Sequence, residues 1–361
     1  MLKLFSNAFS IDFEFDMRSN QNKKLVKKLS VTISMISYND ANIIDDCLKS
    51  IRNQDYGGEV KILMVDGGST DSTVEIAKRY GAKVIFKPQY LDKPYKRGDI
   101  ALNSVKTDIA IFFSADNRFQ ETDCLKKIMK PFEDEEISAV ETFKYGYDKK
   151  SSILTKYFAL IGGTDPIAVS LGKADRAAQD ISNWHSFGQV IENSQYFKVN
   201  FEDDISRIPT LGANGFAIRN KLIKRFPINN SLHIELCTQL IMKGYNKFAF
   251  VKDVHIIHEI QSSIFELLKR KLMWKKLYSN INIRRKYLVY NPKSDKLKLA
   301  LIVLSSITLV TPIYRTIKGF IKKPELAWLL HPLILNLFIF SYGLSIFKSA
   351  LQNNHLIKRS I

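Results

Sequence analysis

The sequence predicts an α/β fold with a doubly wound, mostly parallel sheet, extended by apolar C-terminal helices. Two observations carry this prediction. Apolar, β-branched runs alternate with amphipathic stretches from Leu29 to Phe113, and each apolar run stops on polar residues. Because parallel strands bring their carboxyl ends to one edge of a sheet, these polar stops are expected to line one crevice.

The first two units of the pattern each join a strand to a helix. Leu29 to Ser37 is rich in β-branched residues, and Asn42 to Asn53 has the apolar spacing of an amphipathic helix. Val60 to Val65 is the second strand, after which Thr70 or Asp71 can cap the next helix. The alternation therefore begins as strand, helix, strand, helix.

The third and fourth units continue the alternation of strands and helices. After Gly81 closes the second helix, Ala82 to Phe86 is the third predicted strand. Asp99 to Val105 is predicted as a helix, and Ile109 to Phe113 as the fourth strand.

The second half of this domain is less regular. Residues 142–208 hold a Trp184-His185 pair and are expected to form binding loops and short helices. Ser231 to Lys243 has helical spacing, and Phe248 to Val254 reads as a late strand. These elements complete a domain of residues 30–260, which follows a polar extension of residues 1–29.

The formal net charge of +18 implies an anionic partner, either nucleic acid, an anionic membrane face or a phosphorylated ligand. Residues 261–296 are basic and interleaved with Leu and Trp, which suits a helix lying on an anionic membrane. A solvated helix packed on the domain and a nucleic-acid arm are the alternatives. Because the basic residues concentrate beside apolar segments, we expect no nucleic-acid partner.

Residues 297–350 contain two apolar segments, Leu299 to Tyr314 and Ala327 to Phe347, before a basic tail of residues 351–361. The second segment has the roughly 20 residues that span a bilayer. A transmembrane hairpin is the favoured interpretation, and a re-entrant or surface-lying pair stays open. The three widely spaced cysteines are expected to be free thiols in a reducing compartment.

Three motifs mark the ends of the first, second and fourth strands: SMISYND (34–40), MVDGGSTDST (64–73) and IFFSADN (111–117). In this order they resemble the family 2 glycosyltransferases of the GT-A fold, and the similarity runs from about residue 31 to 258. The resemblance implies an inverting, hexosyltransferase-type enzyme that uses a nucleotide-sugar donor.

The third motif resembles the family's Asp-x-Asp strand end, which implies a Mg²⁺ or Mn²⁺ cofactor held by Asp116. A divalent cation there would neutralise the charge that develops on the departing diphosphate. Ser114 stands where the family usually has another Asp, so this chain would offer the metal one carboxylate fewer. His258 matches a His that some relatives place near the metal.

The resemblance also implies the nucleotide site. Asp66 would contact the base, although the following family Asp is Gly67 here, and Arg97 is either a diphosphate contact or a surface residue. The implied nucleotide-binding residues are Ser37, Tyr38, Asp40, Asp66, Arg97, Ser114 and Ala115.

Activation of an acceptor hydroxyl requires a base opposite the leaving group. In the stretch HIELCTQLIMKGY, Glu235 falls on an acidic position of the family and is favoured, whereas His233 falls where the catalytic Asp usually stands. A phosphate acceptor would need no base, because it is already ionised at neutral pH. On the acceptor side, Gly212, Asn214 and Gly215 resemble the loop that shapes the acceptor site. Lys173, Asp175 and Arg176 are further candidates, with Lys173 and Arg176 suited to phosphate and an Asp175–Arg176 structural pair as the alternative.

The predicted protein is thus a membrane-associated glycosyltransferase with its catalytic domain on the cytoplasmic side. It would transfer a sugar from a UDP- or GDP-sugar to a lipid-linked or polyprenyl-phosphate acceptor. One alternative is a catalytically degenerate, membrane-bound protein that only binds sugar nucleotides. Another is a glycosyltransferase that acts on a surface-polysaccharide or glycoprotein glycan precursor. The donor sugar and the oligomeric state stay open.

Overall fold

The structure is a computed structural model that describes residues 28–183, 188–226, 233–280, 287, 289–291 and 293–358. The predictions for residues 1–27, for the Trp184-His185 pair and for the basic residues within 281–286 lie outside these ranges.

The strands are β1 Val31–Ser37, β2 Val60–Asp66, β3 Lys83–Phe86, β4 Ile109–Phe112, β5 Asn117–Phe119, β6 Ala139–Gly146, β7 Gly188–Glu192, β8 Tyr196–Phe201, β9 Ala217–Arg219 and β10 Lys247–His258. The helices are α1 Ile44–Arg52, α2 Thr73–Arg79, α3 Pro94–Asn103, α4 Cys124–Met129, α5 Ile153–Ile161, α6 Pro166–Ser170, α7 Asn220–Arg225, α8 His233–Met242, α9 Ile264–Asn280, α10 Lys296–Ile307, α11 Val310–Lys322 and α12 His331–Lys358. Short 3₁₀ helices lie at Pro88–Tyr90, Lys130–Glu133, Ile205–Arg207 and Leu326–Leu330.

These strands form one sheet in the order β3-β2-β1-β4-β9-β6-β10-β8-β7, with β5 paired to β10. The pairs β3-β2, β2-β1 and β1-β4 are parallel, so the sequence pattern of the first half is confirmed. The second half is mixed: β6 and β10 run parallel, whereas β9, β8, β7 and β5 join their neighbours antiparallel. The predicted α/β class therefore holds, but with a parallel half and a mixed half the sheet is mixed rather than mostly parallel.

Both faces of the sheet are covered. Along β4, Ile109 and Ile111 contribute to one hydrophobic cluster, and Ala110 and Phe112 contribute to the other. This alternation follows from the two-residue period of a strand. The first cluster includes apolar residues of α1, α2 and α4, and the second includes those of α3, α7 and α8. Helices on both faces leave the carboxyl edge of the parallel strands free for a site.

A third cluster joins the C-terminal helices to the domain, with Trp328 and Phe338 packed among residues of α5, α6 and α9. Polar contacts reinforce this junction. Arg315 of α11 donates two hydrogen bonds to Asp180, at 2.7 and 2.9 Å, and Tyr342 of α12 donates to Asp165 at 2.6 Å. The C-terminal helices are thus held against the domain rather than tethered beside it.

By length and composition, one described helical stretch, Leu326–Lys348, could cross a membrane. It coincides with the second predicted apolar segment. The first predicted segment is not one straight helix: α10 and α11 meet at an angle of 82°, with Leu309 between them at a φ of 60°. An ordinary L-residue rarely adopts this left-handed backbone conformation, and at Leu309 it ends the helical path between α10 and α11 abruptly.

Candidate active site

The loops that follow β1 and β2 are joined by hydrogen bonds at the carboxyl edge of the sheet. Asn39 Oδ1 accepts from the backbone N–H of Thr70 at 2.9 Å, and Thr73 Oγ1 accepts from the backbone N–H of Asp40 at 2.8 Å. Ser37 Oγ donates to Asp40 Oδ2 at 2.6 Å. Burial raises the pKa of Asp40. Ser37 and Asp40, both predicted nucleotide-binding residues, therefore belong to one ordered turn, with Tyr38 at its exposed rim.

Asp66, at the end of β2, is completely buried. Its Oδ2 accepts from the backbone N–H groups of Gly68 and Ser69 at 2.7 and 2.8 Å, and its Oδ1 accepts from Ser69 Oγ at 2.5 Å. The carboxylate therefore shapes the turn after β2. The predicted contact of Asp66 with a nucleotide base stays a prediction.

Arg97 is buried, with 6% of its surface exposed, so it is not a surface residue. Its Nη1 donates to the carbonyl oxygen of Ser37 at 2.6 Å. A Cβ at Gly67 would lie 2.5 Å from that nitrogen, so only glycine leaves room for the guanidinium. Burial lowers the pKa of Arg97, and its Nε is buried without a hydrogen-bond partner among the described residues. An unpaired donor beside the β1 and β2 turns suits an anionic or acceptor-rich ligand.

Asp116 and His258 come together at the end of the fourth strand. His258 Nε2 lies 3.4 Å from Asp116 Oδ2. The backbone N–H of Glu259 donates to the carbonyl oxygen of Asp116 at 2.8 Å, and His258 pairs in register with Asn117 of β5. The antiparallel β5-β10 pairing thus brings together two residues that are far apart in sequence.

This pair fits a divalent cation. Two ligands at about 2.1 Å on adjacent positions of an octahedral ion lie about 3 Å apart. Both side chains are partly exposed, which leaves room for a third partner. Within the described residues, no group of three or more His, Cys, Asp or Glu side chains could hold a metal. The described residues would therefore offer two ligands and leave the others to substrate or water.

Two cavities meet at the loop before β9 and the start of α8. The first has a volume of about 410 Å³ and includes Ser114 among its lining residues. The second has a volume of about 300 Å³ and includes Asp175 and Lys271. Both are lined by Ala213, Asn214 and His233. Ala115 and Asp116 instead border a larger cavity of about 840 Å³. Residues 114–116, which follow β4, therefore lie between the first small cavity and the larger one.

The two predicted base candidates have different surroundings. His233 lines both small cavities and contacts the ring of Phe112 edge-on at 4.8 Å. Burial lowers the pKa of His233 to about 4, so the imidazole is neutral at pH 7. Glu235 is buried, and its Oε1 accepts from the backbone N–H of Tyr287 at 3.1 Å. Of the two, His233 is the one that borders the cavities.

The predicted acceptor cations are both buried ion pairs. Lys173 Nζ lies 2.6 Å from Asp295 Oδ2, and Arg176 Nη1 lies 2.5 Å from Glu141 Oε1. Arg176 Nη2 also donates to the carbonyl oxygen of Asn214 at 3.0 Å. Through these contacts Arg176 has a structural role: it holds the loop before β9 in place.

That loop is tightly constrained. Gly212 and Gly215 have φ values of 104° and 96°, and Asn214 has a φ of 51°. A Cβ at Gly215 would overlap Ile256 Cδ1, and one at Gly212 would lie 2.8 Å from His233 Cβ. The predicted acceptor loop is therefore packed directly against α8 and β10.

Sequence reasoning missed Tyr145 and Glu141, both on β6. Tyr145 donates a short hydrogen bond to Asp175, and its hydroxyl accepts from Asn214 Nδ2 at 2.9 Å. Glu141 pairs with Arg176. The one available signal was a Glu within the apolar run of β6, because carboxylates are rarely buried unless paired.

The mixed sheet, with polar motifs at the ends of its parallel strands, is the GT-A fold of glycosyltransferases. Residues 32–189 match the family model described as glycosyl transferase family 2, and the chain carries a glycosyltransferase domain of this family.

A solved structure agrees on the fold. The mannosyltransferase PcManGT from Pyrobaculum calidifontis, solved with GDP-Man and Mn²⁺, is 14% identical, with a TM-score of 0.50 over 90% of this chain and 88% of that chain. Glucosyl-3-phosphoglycerate synthase from Mycobacterium tuberculosis, solved with Mn²⁺, UDP and phosphoglyceric acid, is 17% identical, with a TM-score of 0.45 over 72% of this chain and 80% of that chain.

Proposed function

We propose that this glycosyltransferase transfers a sugar, with inversion, from a UDP- or GDP-sugar to a lipid-linked acceptor at the cytoplasmic membrane face. The observation that supports it best is the Asp116–His258 pair, whose His258 lies 3.4 Å from Asn214, a residue that lines both small cavities. Carboxylate and imidazole suit a divalent cation that binds a diphosphate.

The donor would lie across the carboxyl ends of the parallel strands. Tyr38 offers an exposed ring on which a base can stack, and Arg97 offers its unpaired Nε. Asp116 and His258 would hold Mg²⁺ or Mn²⁺ against the diphosphate, where the ion supplies Lewis-acid stabilisation of the leaving group. The sugar would then enter the cavity that contains Ser114, Asn214 and His233.

The lipid-linked acceptor is proposed from the C-terminal helices. Exposed apolar side chains cover one face of α10 and α11: Leu304, Ile307, Val310, Ile313, Ile317, Phe320 and Ile321. We call this set the C-terminal apolar face. Such a large exposed apolar patch is unusual for a soluble surface and suits a membrane. The adjoining basic residues of α9 and α11 favour an anionic leaflet.

A cavity of about 440 Å³ also lies between the domain and these helices. It is lined by Ile161 and Ala178 of the domain and by Ile302 and Leu335 of the helices. Val169 and Ala174 line both this cavity and the one that contains Asp175. A hydrocarbon chain in the first cavity would place the acceptor's polar group in the second.

Titration of the detergent-purified chain with UDP and with GDP, each with and without Mn²⁺, tests the donor part. GDP-mannose is the first donor to assay for turnover, since the mannosyltransferase named above was solved with it. Metal-dependent binding of one nucleotide, together with release of the sugar from its donor, would support a transferase. Nucleotide binding without turnover of any donor would favour the degenerate binding protein.

A further inference from the structure

The cavity that contains Lys271 also holds a carboxylate, that of Asp175. The side chain of Asp175 is 16% exposed, and its Oδ2 accepts a short hydrogen bond from the hydroxyl of Tyr145. Burial raises the pKa of Tyr145 well above its usual value, and the charge of Asp175 adds to this. The hydroxyl therefore stays protonated and keeps donating to the carboxylate, which leaves Oδ1 next to Gly163 on the cavity wall.

The two residues predicted from sequence are poor bases by comparison. An imidazole whose pKa is about 4 takes up little proton at neutral pH, so His233 is a weak base there. Glu235 accepts a backbone hydrogen bond from Tyr287 and is not among the described residues that line either small cavity.

A hydrogen-bond chain connects Asp175 to the metal pair. Tyr145 accepts from Asn214 Nδ2 at 2.9 Å, and the same nitrogen lies 3.4 Å from His258 Nδ1. The guanidinium of Arg176 lies 4.9 Å above the Tyr145 ring and 4.0 Å from Asp175 Oδ2. Asp175 is therefore held at a fixed position relative to Asp116 and His258.

The charges lining this cavity do not favour a phosphate. Its Lys173 pairs with Asp295 at 2.6 Å, whereas its Lys271 donates to the neutral hydroxyl of Thr164 at 2.9 Å and keeps its positive charge. Asp165 and Asp175 are both on the wall, so a phosphate dianion would enter beside two carboxylates. Like charges at close range in a partly desolvated site repel strongly. A neutral hydroxyl meets no such penalty and can donate to a carboxylate.

We propose that Asp175 is the general base and that the acceptor nucleophile is a hydroxyl, as on a lipid-linked saccharide, rather than a phosphate. This inference rests on the proposed function. The acceptor oxygen forms the new bond to the anomeric carbon as the bond from that carbon to the diphosphate oxygen breaks. The acceptor proton passes to Asp175, and the electron pair leaves with the nucleoside diphosphate. His233 and Asn214 then form the wall between donor sugar and acceptor.

The test compares Asp175→Asn with the full-length wild-type chain. Decyl hexosides serve as hydroxyl acceptors and farnesyl phosphate as the phosphate acceptor. We expect wild type to glycosylate the hexosides, and Asp175→Asn to lower that kcat by roughly 10²–10⁴-fold while metal-dependent nucleotide binding is unchanged. Asp134→Asn, which alters a surface ion pair with Lys198, is the matched control and should behave as wild type.

Tyr145→Phe is the second variant, because it keeps the carboxylate and removes its hydrogen bond. It should lower kcat less than Asp175→Asn does, with metal-dependent nucleotide binding unchanged. Wild-type transfer to farnesyl phosphate but not to hexosides would overturn the proposal, as would hexoside transfer that Asp175→Asn leaves intact. A wild-type chain that turns over no donor would overturn the proposed function as well, so the two failures are distinguishable.

Discussion

The imidazole Nε2 of His258 lies 3.4 Å from Oδ2 of Asp116, and a strand pairing fixes this approach. β5 follows directly from the strand end that carries Asp116, and its antiparallel register with β10 sets Asn117 opposite His258. The pair is therefore a consequence of backbone hydrogen bonding, and it would persist with or without a bound ion.

The first prediction concerns this pair. We expect Asp116→Ala to abolish Mn²⁺-dependent nucleotide binding and His258→Ala to weaken it at least tenfold, because each would remove one of the two proposed protein ligands. Titration calorimetry with and without Mn²⁺ measures both effects. His255→Ala is the matched control, since His255 lies on the same strand and bonds to Glu121 outside the site. Equal losses from His255→Ala and His258→Ala would contradict a role in metal binding.

The second prediction concerns Arg97 and Gly67. Adding a Cβ at residue 67 must displace the guanidinium, so Gly67→Ala should weaken nucleotide binding about as much as Arg97→Ala does. The double variant should then bind no worse than either single one, because both substitutions remove the same contact. Nucleotide titration of all three variants closes the cycle. Additive losses would mean that Arg97 and residue 67 act on the ligand separately.

The parallel half of the fold could be predicted from sequence because its strands are continuous apolar runs that alternate with periodic helices. The second half could not. β6 carries Glu141 and Thr142 in its centre, and β9 has three residues, too few for a periodic signal. Their pairing depends on tertiary contacts, such as the Glu141–Arg176 ion pair, that a linear pattern does not contain.

The residues of the candidate site also fall into those that the sequence identifies and those that it does not. Asp116 was identifiable because the local motif IFFSADN carries it, and the turn of Asp40 lies in SMISYND. The surroundings of Lys173 and Arg176 were not identifiable, since their partners Asp295 and Glu141 lie far away in sequence. The residue types suited Lys173 and Arg176 to a phosphate, whereas burial and pairing give both side chains structural contacts.

The third prediction concerns pH. The folded pKa of His233, about 4, lies below the roughly 6.5 of an unfolded histidine. Above pH 6.5 neither state binds this proton. As the pH falls from about 6.5 towards 4, only the unfolded chain takes it up, so the free energy of unfolding decreases by up to about 1.4 kcal/mol per pH unit. Thermal unfolding midpoints of wild type should fall faster with acid than those of His233→Gln. Parallel curves would show that burial does not suppress protonation of His233.

The last prediction concerns the C-terminal apolar face. An isoleucine buried in an apolar environment contributes about 1.5–3 kcal/mol, so the double variant Ile317→Ser, Ile321→Ser should bind vesicles at least tenfold more weakly. These side chains are 54% and 74% exposed and lie one turn apart on α11, so the substitutions should leave the domain and its donor turnover intact. Co-sedimentation with phosphatidylglycerol-containing vesicles measures the loss.

Phe86→Ser, Ile191→Ser is the matched control for that experiment. It removes two apolar side chains of similar exposure, 57% and 64%, from β3 and β7 at the two ends of the sheet. If general surface hydrophobicity drove vesicle binding, both double variants would lose it equally, and the apolar face would have no special role. If α10 and α11 contact the lipid, only the first variant is released.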